Sequence, residues 1–175
     1  MRKIATFALL ATGLIALGCG AGSTDDATSK ADAVGAKGDD KPKTAKVGEA
    51  ARDGKFEFTV KSAKCGVAKI GTDVIGAKAQ GQFCLVTLNV KNIGKEAQLF
   101  DGSSQKAYAA DGTEYSADTG AAIYANKNAE TFLNDINPGN QVTGVVVFDI
   151  PKNVKLTKLE LHDSMFSGGV DVALS

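Results

Sequence analysis

Beyond residue 47 the chain alternates apolar and polar residues with the period of two that sets one face of a β-strand against a core. In residues 55–62, Phe56, Phe58 and Val60 share one face, and Glu57, Thr59 and Lys61 the other. Residues 83–90 place Cys84, Val86, Leu88 and Val90 together, and the run closes at Asn92-Ile93-Gly94. Asn and Gly both tolerate the positive φ of a turn. Asp53-Gly54 predicts a hairpin turn from a short strand at 47–52. Shorter strands are expected at 97–100 and 106–109, the second returning through Asp111-Gly112 to Glu114-Tyr115. Residues 141–150 are the most β-like run, framed by Asn137-Pro138-Gly139-Asn140 and Pro151. Val145 and Val147 point one way, Val146 and Phe148 the other, which predicts a central strand covered on both faces. Residues 156–162 and 170–174 bring the count to seven to nine strands. The alanines, Ile123 and Tyr124 between 117 and 129 allow one or two helical turns.

Short strands punctuated by turns predict an all-β domain over 47–175, a two-sheet antiparallel β-sandwich, with a closed barrel as the rival architecture. Two connections are long for such a domain. Residues 66–81 are rich in glycine and read as a mobile loop. Residues 117–133 carry Tyr124 and Phe132, aromatics of the kind enriched at binding surfaces. On this reading Tyr124 and Phe132 are candidate partner-binding residues. The alternative is that they cap the open end of the sandwich core.

The N-terminus adds a compartment. Met1-Arg2-Lys3 is a short positive segment, followed by an uncharged, mostly apolar run over 4–17. That run is shorter than the ~20 residues needed to cross a bilayer and reads as the apolar region of a signal peptide. Ala16-Leu17-Gly18-Cys19 closes it and resembles the lipobox of bacterial lipoproteins, although Leu usually stands three residues before the cysteine. Cleavage before Cys19 and lipidation of its thiol are the expectation, with residues 1–18 as lipoprotein signal peptide. An ordinary signal peptide cut near Gly18 or Ala21 is the competing reading. Residues 19–46 then form the lipidated Cys and a disordered, flexible tether: no aromatic residue occurs there, and Val34 is its only large aliphatic one.

Three cysteines are an odd number for an exported chain. With Cys19 lipidated, Cys65 and Cys84 remain to form a disulfide where such bonds persist, two reduced buried thiols being the alternative. Charge narrows the partners. Twenty basic and twenty acidic residues give a formal net charge of zero, unlike the basic surface of a nucleic-acid binder.

Taken in order, Val47-Gly48-Glu49, the 56–60 run, 86–92 ending in Asn-Ile-Gly, Asp111-Gly112-Thr113-Glu114-Tyr115, Asn137-Pro138-Gly139-Asn140 and Val147-Phe148-Asp149-Ile150-Pro151 resemble a family of actinobacterial lipoproteins of unknown function. The resemblance implies an immunoglobulin-like sandwich, similar in fold to a secreted mycobacterial immunoprotective antigen. It carries over no catalytic residue.

Enzymatic chemistry finds little support in the residues. His162 is the only histidine, followed by Asp163 and Ser164. Adjacent strand residues point to opposite faces, so a solvated strand-end histidine is expected rather than a catalytic base. Metal sites of the zinc or copper type need clusters of His, Cys or Met, which one His and Met165 do not make. Asp101, Asp111, Glu114 and Asp118 lack the alternating spacing of a calcium loop and read as turn caps. No phosphate-cradling glycine motif occurs. The expectation is a non-enzymatic binding or structural module of the cell envelope, without cofactor or metal. It is held on the membrane by a lipid and contacts an envelope protein or cell-wall partner. A small-ligand or ion-binding accessory lipoprotein of a transporter or envelope enzyme is the second reading.

Overall fold

The computed structural model describes residues 44–126 and 132–174, so Cys19, the expected signal segment and most of the expected tether lie outside the described residues. Alternation builds the first sheet. Strand β1 spans Ala45–Lys46, β2 Ala50–Asp53, β3 Phe56–Gly71 and β4 Gly76–Asn92. β3 and β4 pair antiparallel with Phe58 opposite Val90 and Val60 opposite Leu88, so the predicted apolar faces coincide and are buried. Strands β5 (Lys106–Ala109), β6 (Glu114–Ser116), β7 (Gln141–Ile150), β8 (Leu156–Leu161) and β9 (Val170–Ala173) complete two sheets, ordered β1-β9-β8-β5-β6 and β2-β3-β4-β7. The sheets face each other across a core of Phe56, Phe58, Val86, Leu88, Phe148, Leu159 and their neighbours. Burying each such side chain contributes about 1.5–3 kcal/mol. The pairing is antiparallel throughout except between β1 and β9, which run parallel.

The described residues thus form a two-sheet β-sandwich, as expected, with local departures. Ala45 and Lys46, assigned by composition to the tether, form β1. Residues 97–100 make only an isolated bridge, Gln98 to Ile136, instead of a strand. β7 is not central. It ends its sheet, and its second apolar face is covered by a helix, α1 (Thr119–Ala125), in place of a further strand.

The glycine-rich stretch 66–81 is not a loop. β3 and β4 continue through it as a two-stranded ribbon that turns only at 72–75. Gly71, Gly76 and Gly81 mark close backbone approach. A Cβ on Gly76 would lie 2.2 Å from the Ile70 carbonyl oxygen, and one on Gly81 2.2 Å from that of Ile150. β7 pairs with β4 only from Gln82 onward, so the ribbon beyond it has two strands. Three contacts hold it. Val67, Ile70, Ala77 and Ala79 pack in a second apolar cluster with Ala121 and Ala122 of α1. The backbone N–H groups of Gln80 and Gly81 donate to Asp149 at 2.6 and 3.0 Å. Cys65 and Cys84 are joined by a disulfide at its base, where a bulge sets Cys65 and Gly66 against Cys84.

Two buried amides fasten the loops. Asn92 Nδ2 donates to the carbonyls of Glu96 and Ile136, both at 2.7 Å, while its Oδ1 accepts from Gly94 N–H at 2.8 Å. Gln105 donates through Nε2 to the Asp101 and His162 carbonyls and accepts from His162 N–H through Oε1. All their polar atoms are engaged, as burial requires.

Candidate functional site

Helix α1 starts because Asp118 caps it, its carboxylate accepting from Ala121 N–H at 2.8 Å. Its small residues let it lie close on the outer face of β7, where Ala121, Ala122 and Ala125 meet Val145, Val147, Ile70 and Phe83. Across from it runs the segment 99–103, ending in a short 3-10 turn at Gly102–Ser104. Asp101 caps that turn, accepting from Ser103 N–H (2.9 Å), Ser103 Oγ (2.6 Å) and Ser104 Oγ (2.5 Å). Burial pushes the Asp101 carboxyl up, but these hydrogen bonds outweigh it and hold it below the usual carboxylate range.

Between helix and segment lies a cleft of about 250 Å³. Phe100, Phe132, Val145 and Val147 are among its apolar lining, and Leu99, Ile123 and Leu133 stand at its mouth, each half or more exposed. The charged and amide side chains in the lining are engaged elsewhere, which leaves Thr119, among the described residues, as the polar side chain with no bond of its own. Asp101 serves its turn, Asp118 caps α1, and Asn126 bonds to Val145 through both N–H and C=O. The surface left to a visitor is mostly hydrocarbon, and what it can recognise is chiefly an apolar shape.

Phe132 is half-buried with its ring 4.6 Å from that of Phe100, so of the two aromatics singled out from sequence it belongs both to the cleft wall and to the packing beneath. Tyr124 does not line the cleft; it lies on α1 with 42% of its surface exposed. Leu99 was not anticipated, and Ile123 and Leu133, though within the connection 117–133 singled out from sequence, were not named as contact residues. Leu99 sat in an expected strand and Ile123 counted only as a helix former, so nothing in the pattern marked them as neighbours.

His162 is buried rather than solvated. Its Nε2 meets Glu160 Oε1 at 2.8 Å and its Nδ1 faces Ser167 Oγ at 3.4 Å. Serine, imidazole and carboxylate in a row suggest a hydrolytic relay, but the geometry points elsewhere. Ser167 Oγ donates to the Ser164 carbonyl at 3.0 Å, closing its own turn. Gly169, at φ +71°, brings backbone over the ring so closely that a Cβ would lie 2.6 Å from His162 Cε1. The histidine fastens the 162–169 loop. Among the described residues, no three His, Cys, Asp or Glu side chains gather as metal ligands, and no helix is long and apolar enough to cross a membrane.

A family profile described as a domain of unknown function (DUF4352) matches residues 45–172. The uncharacterized protein YxkC of Bacillus subtilis (strain 168) is 32% identical over 117 residues, which cover 63% of this chain and 64% of that protein, just under two thirds of its length. Among solved structures, the secreted protein MPT63 from Mycobacterium tuberculosis superposes with a TM-score of 0.55 at 19% identity, over 74% of this chain and 95% of that one. The yjhA protein from Bacillus subtilis gives 0.55 at 16% identity, over 75% and 100%. An uncharacterized β-sandwich protein from Clostridium difficile 630 gives 0.50 at 15%, over 76% and 95%. These likenesses show the fold, and they bear out the resemblance to the mycobacterial secreted antigen.

Proposed function

The chain belongs to the DUF4352 family of domains of unknown function, and from that premise we propose that it is a lipid-anchored extracytoplasmic binding module of the cell envelope. It holds a partner protein by contact at the cleft beside α1 and performs no covalent chemistry. The cleft carries this reading. At about 250 Å³ it falls below the ~300–1,000 Å³ typical of sites that engulf a drug-sized ligand. It suits one or two apolar side chains inserted as anchors from a partner surface, with Leu99, Ile123 and Leu133 closing around them to exclude water. The signal segment, Gly18-Cys19 and the Cys65–Cys84 disulfide support export, and a secreted protein shares the fold.

A photocrosslinking residue at position 123, used in envelope extract, tests the site. A discrete adduct is expected that disappears in the Leu99→Asp/Leu133→Asp chain. The same adduct from a crosslinker at position 155, a site outside the cleft lining, would discard the cleft. A thermal-shift screen against metals, sugars and peptidoglycan fragments tests the second reading. A true ligand at about 100 times its Kd adds about 2.7 kcal/mol of stability and would favour a small-ligand accessory role instead.

A further inference from the structure

The tip of the β3–β4 ribbon exposes Val74 and Ile75, at 92% and 66%. The turn does not need their side chains. It is closed by Thr72 N–H donating to the Ile75 carbonyl (2.7 Å) and by Ile75 N–H donating to Thr72 Oγ1 (3.0 Å). Two adjacent aliphatic side chains are thus held in water by a preorganised turn, with no packing role in the domain. Behind them, Lys69 and Lys78 are direct cross-strand partners. Like charges placed opposite each other destabilise a strand pair unless an anion intervenes. Asp73 pairs with Lys69 and leaves Lys78 without a counter-charge from this acid.

Charge is polarised across the domain. Residues 61–82 hold Lys61, Lys64, Lys69 and Lys78 against the single acid Asp73. The other described residues hold nine Lys and Arg against thirteen Asp and Glu. A basic projection ending in exposed aliphatics, on a body of opposite sign, has the chemistry of a surface that settles into anionic headgroups.

We propose that the β3–β4 ribbon docks on an anionic lipid bilayer, Lys69 and Lys78, with Lys61 and Lys64 below its base, on the headgroup phosphates and Val74 and Ile75 in the interfacial layer. This rests on the anchored reading for its geometry. At the reach of an unstructured chain, the 25 residues between Cys19 and Ala45 would span about 30 Å, which would keep the ribbon within range of the membrane that holds the proposed lipid. The contact would seat the domain in one orientation, where a single acyl-anchored tether alone leaves it free to tumble.

The test uses the processed chain from residue 19 carrying Cys19→Ser, made without lipid, so that its result does not depend on whether Cys19 is acylated in the cell. Co-sedimentation with vesicles of phosphatidylglycerol and phosphatidylcholine in equal parts is compared with phosphatidylcholine alone. Partitioning at least about tenfold stronger on the anionic vesicles is expected. Lys69→Glu/Lys78→Glu and Val74→Ser/Ile75→Ser should each lower it about tenfold, with thermal midpoints that confirm the variants fold. Equal partitioning onto both vesicle types, or binding that both variant pairs leave intact, would overturn the proposal. So would equally strong binding to soluble poly(glycerol phosphate) that the Val74→Ser/Ile75→Ser pair does not weaken, since that result assigns the lysines to a polymer.

Discussion

Asn126 and Val145 form a two-bond clamp: Asn126 Nδ2 donates to the Val145 carbonyl at 3.0 Å, and Asn126 Oδ1 accepts from Val145 N–H at 2.7 Å. The carboxamide stands where the backbone of a further strand would stand on the free edge of β7. Two residues along, Asp118 N–H donates to the Val147 carbonyl at 2.7 Å. An edge that could template pairing with another chain is thereby covered from within.

Asn126→Ala removes both bonds and leaves a part-buried N–H and C=O of Val145 without partners. Stability should fall by about 1–3 kcal/mol in urea unfolding. Light scattering should also show concentration-dependent association through the uncovered edge. A variant as stable and as monomeric as the parent would show that water replaces the clamp without loss.

Phe132 and Tyr124 should separate. Phe132→Ala removes a half-buried ring packed on Phe100 and should cost about 2 kcal/mol, less than the ~3–5 kcal/mol of a fully buried phenylalanine. Tyr124→Ala, on the exposed side of α1, should change stability by less than about 0.5 kcal/mol. Equal losses in chemical denaturation would mean that Tyr124 carries packing the fold does not reveal.

Reduction of the Cys65–Cys84 bond, or replacement of both residues by alanine, should lower stability by about 3 kcal/mol in the chain-entropy account for a 19-residue separation. Non-reducing peptide mapping should recover the two residues as one linked peptide. Alkylation of both thiols in unreduced native protein would contradict the bond.

Asp101 gives a pH dependence with a definite sign. Its folded carboxyl is held below the ordinary carboxylate range by the hydrogen bonds from Ser103 and Ser104, which outweigh the effect of burial, so the native state prefers the charged form. The resulting stabilisation is fully present above the unfolded value and is lost as pH falls through the folded one. Asp101→Asn should therefore be less stable than the parent near pH 7, by about 1 kcal/mol as for a lost cap, and the gap should close below about pH 4. A gap that widens on acidification would mean that the carboxylate is not the stabilising form.

Cys19→Ser should abolish fatty-acid labelling and move the protein from the membrane fraction to the soluble one. Labelling that persists in the variant would rule out lipidation at this residue.

What sequence could disclose depended on how local the physics was. Phe56, Phe58 and Val60 against Leu88 and Val90 were legible because a two-residue period and a buried face are local facts that tertiary structure left intact. β7 was read correctly as covered on both faces and wrongly as central. Periodicity registers burial, and it cannot distinguish a neighbouring strand from α1 with the Asn126 clamp. The ribbon was mistaken for a loop because Gly66, Gly71, Gly76 and Gly81 suppress the alternating signal; at Gly71, Gly76 and Gly81 backbone approaches too closely for a Cβ, and Gly66 holds a positive φ of 87°. His162 was expected in solvent since its cover comes from a loop that folds back only at Gly169. The cleft was the least legible part. Leu99 lies far along the chain from Ile123 and Leu133, and they meet only after the Gln98–Ile136 bridge and α1 bring their segments together.

The parallel pairing of β1 with β9 has a mechanical consequence. Under the proposed anchoring, a pull from the membrane would enter the domain at residue 44, and the first structure it would load is a two-residue strand whose sole core side chain is Ala45. Strands that stay paired under load do so by sharing force over many bonds, and β1 has too few to share. It should peel from β9 well before the long β3–β4 ladder yields, freeing residues 45–47 as far as Gly48, whose N–H is held by the Val60 carbonyl at 2.8 Å, and lengthening the leash by about 10 Å. The domain would then ride out envelope stress on a reversible slack of its own, with the sandwich and its cleft left intact.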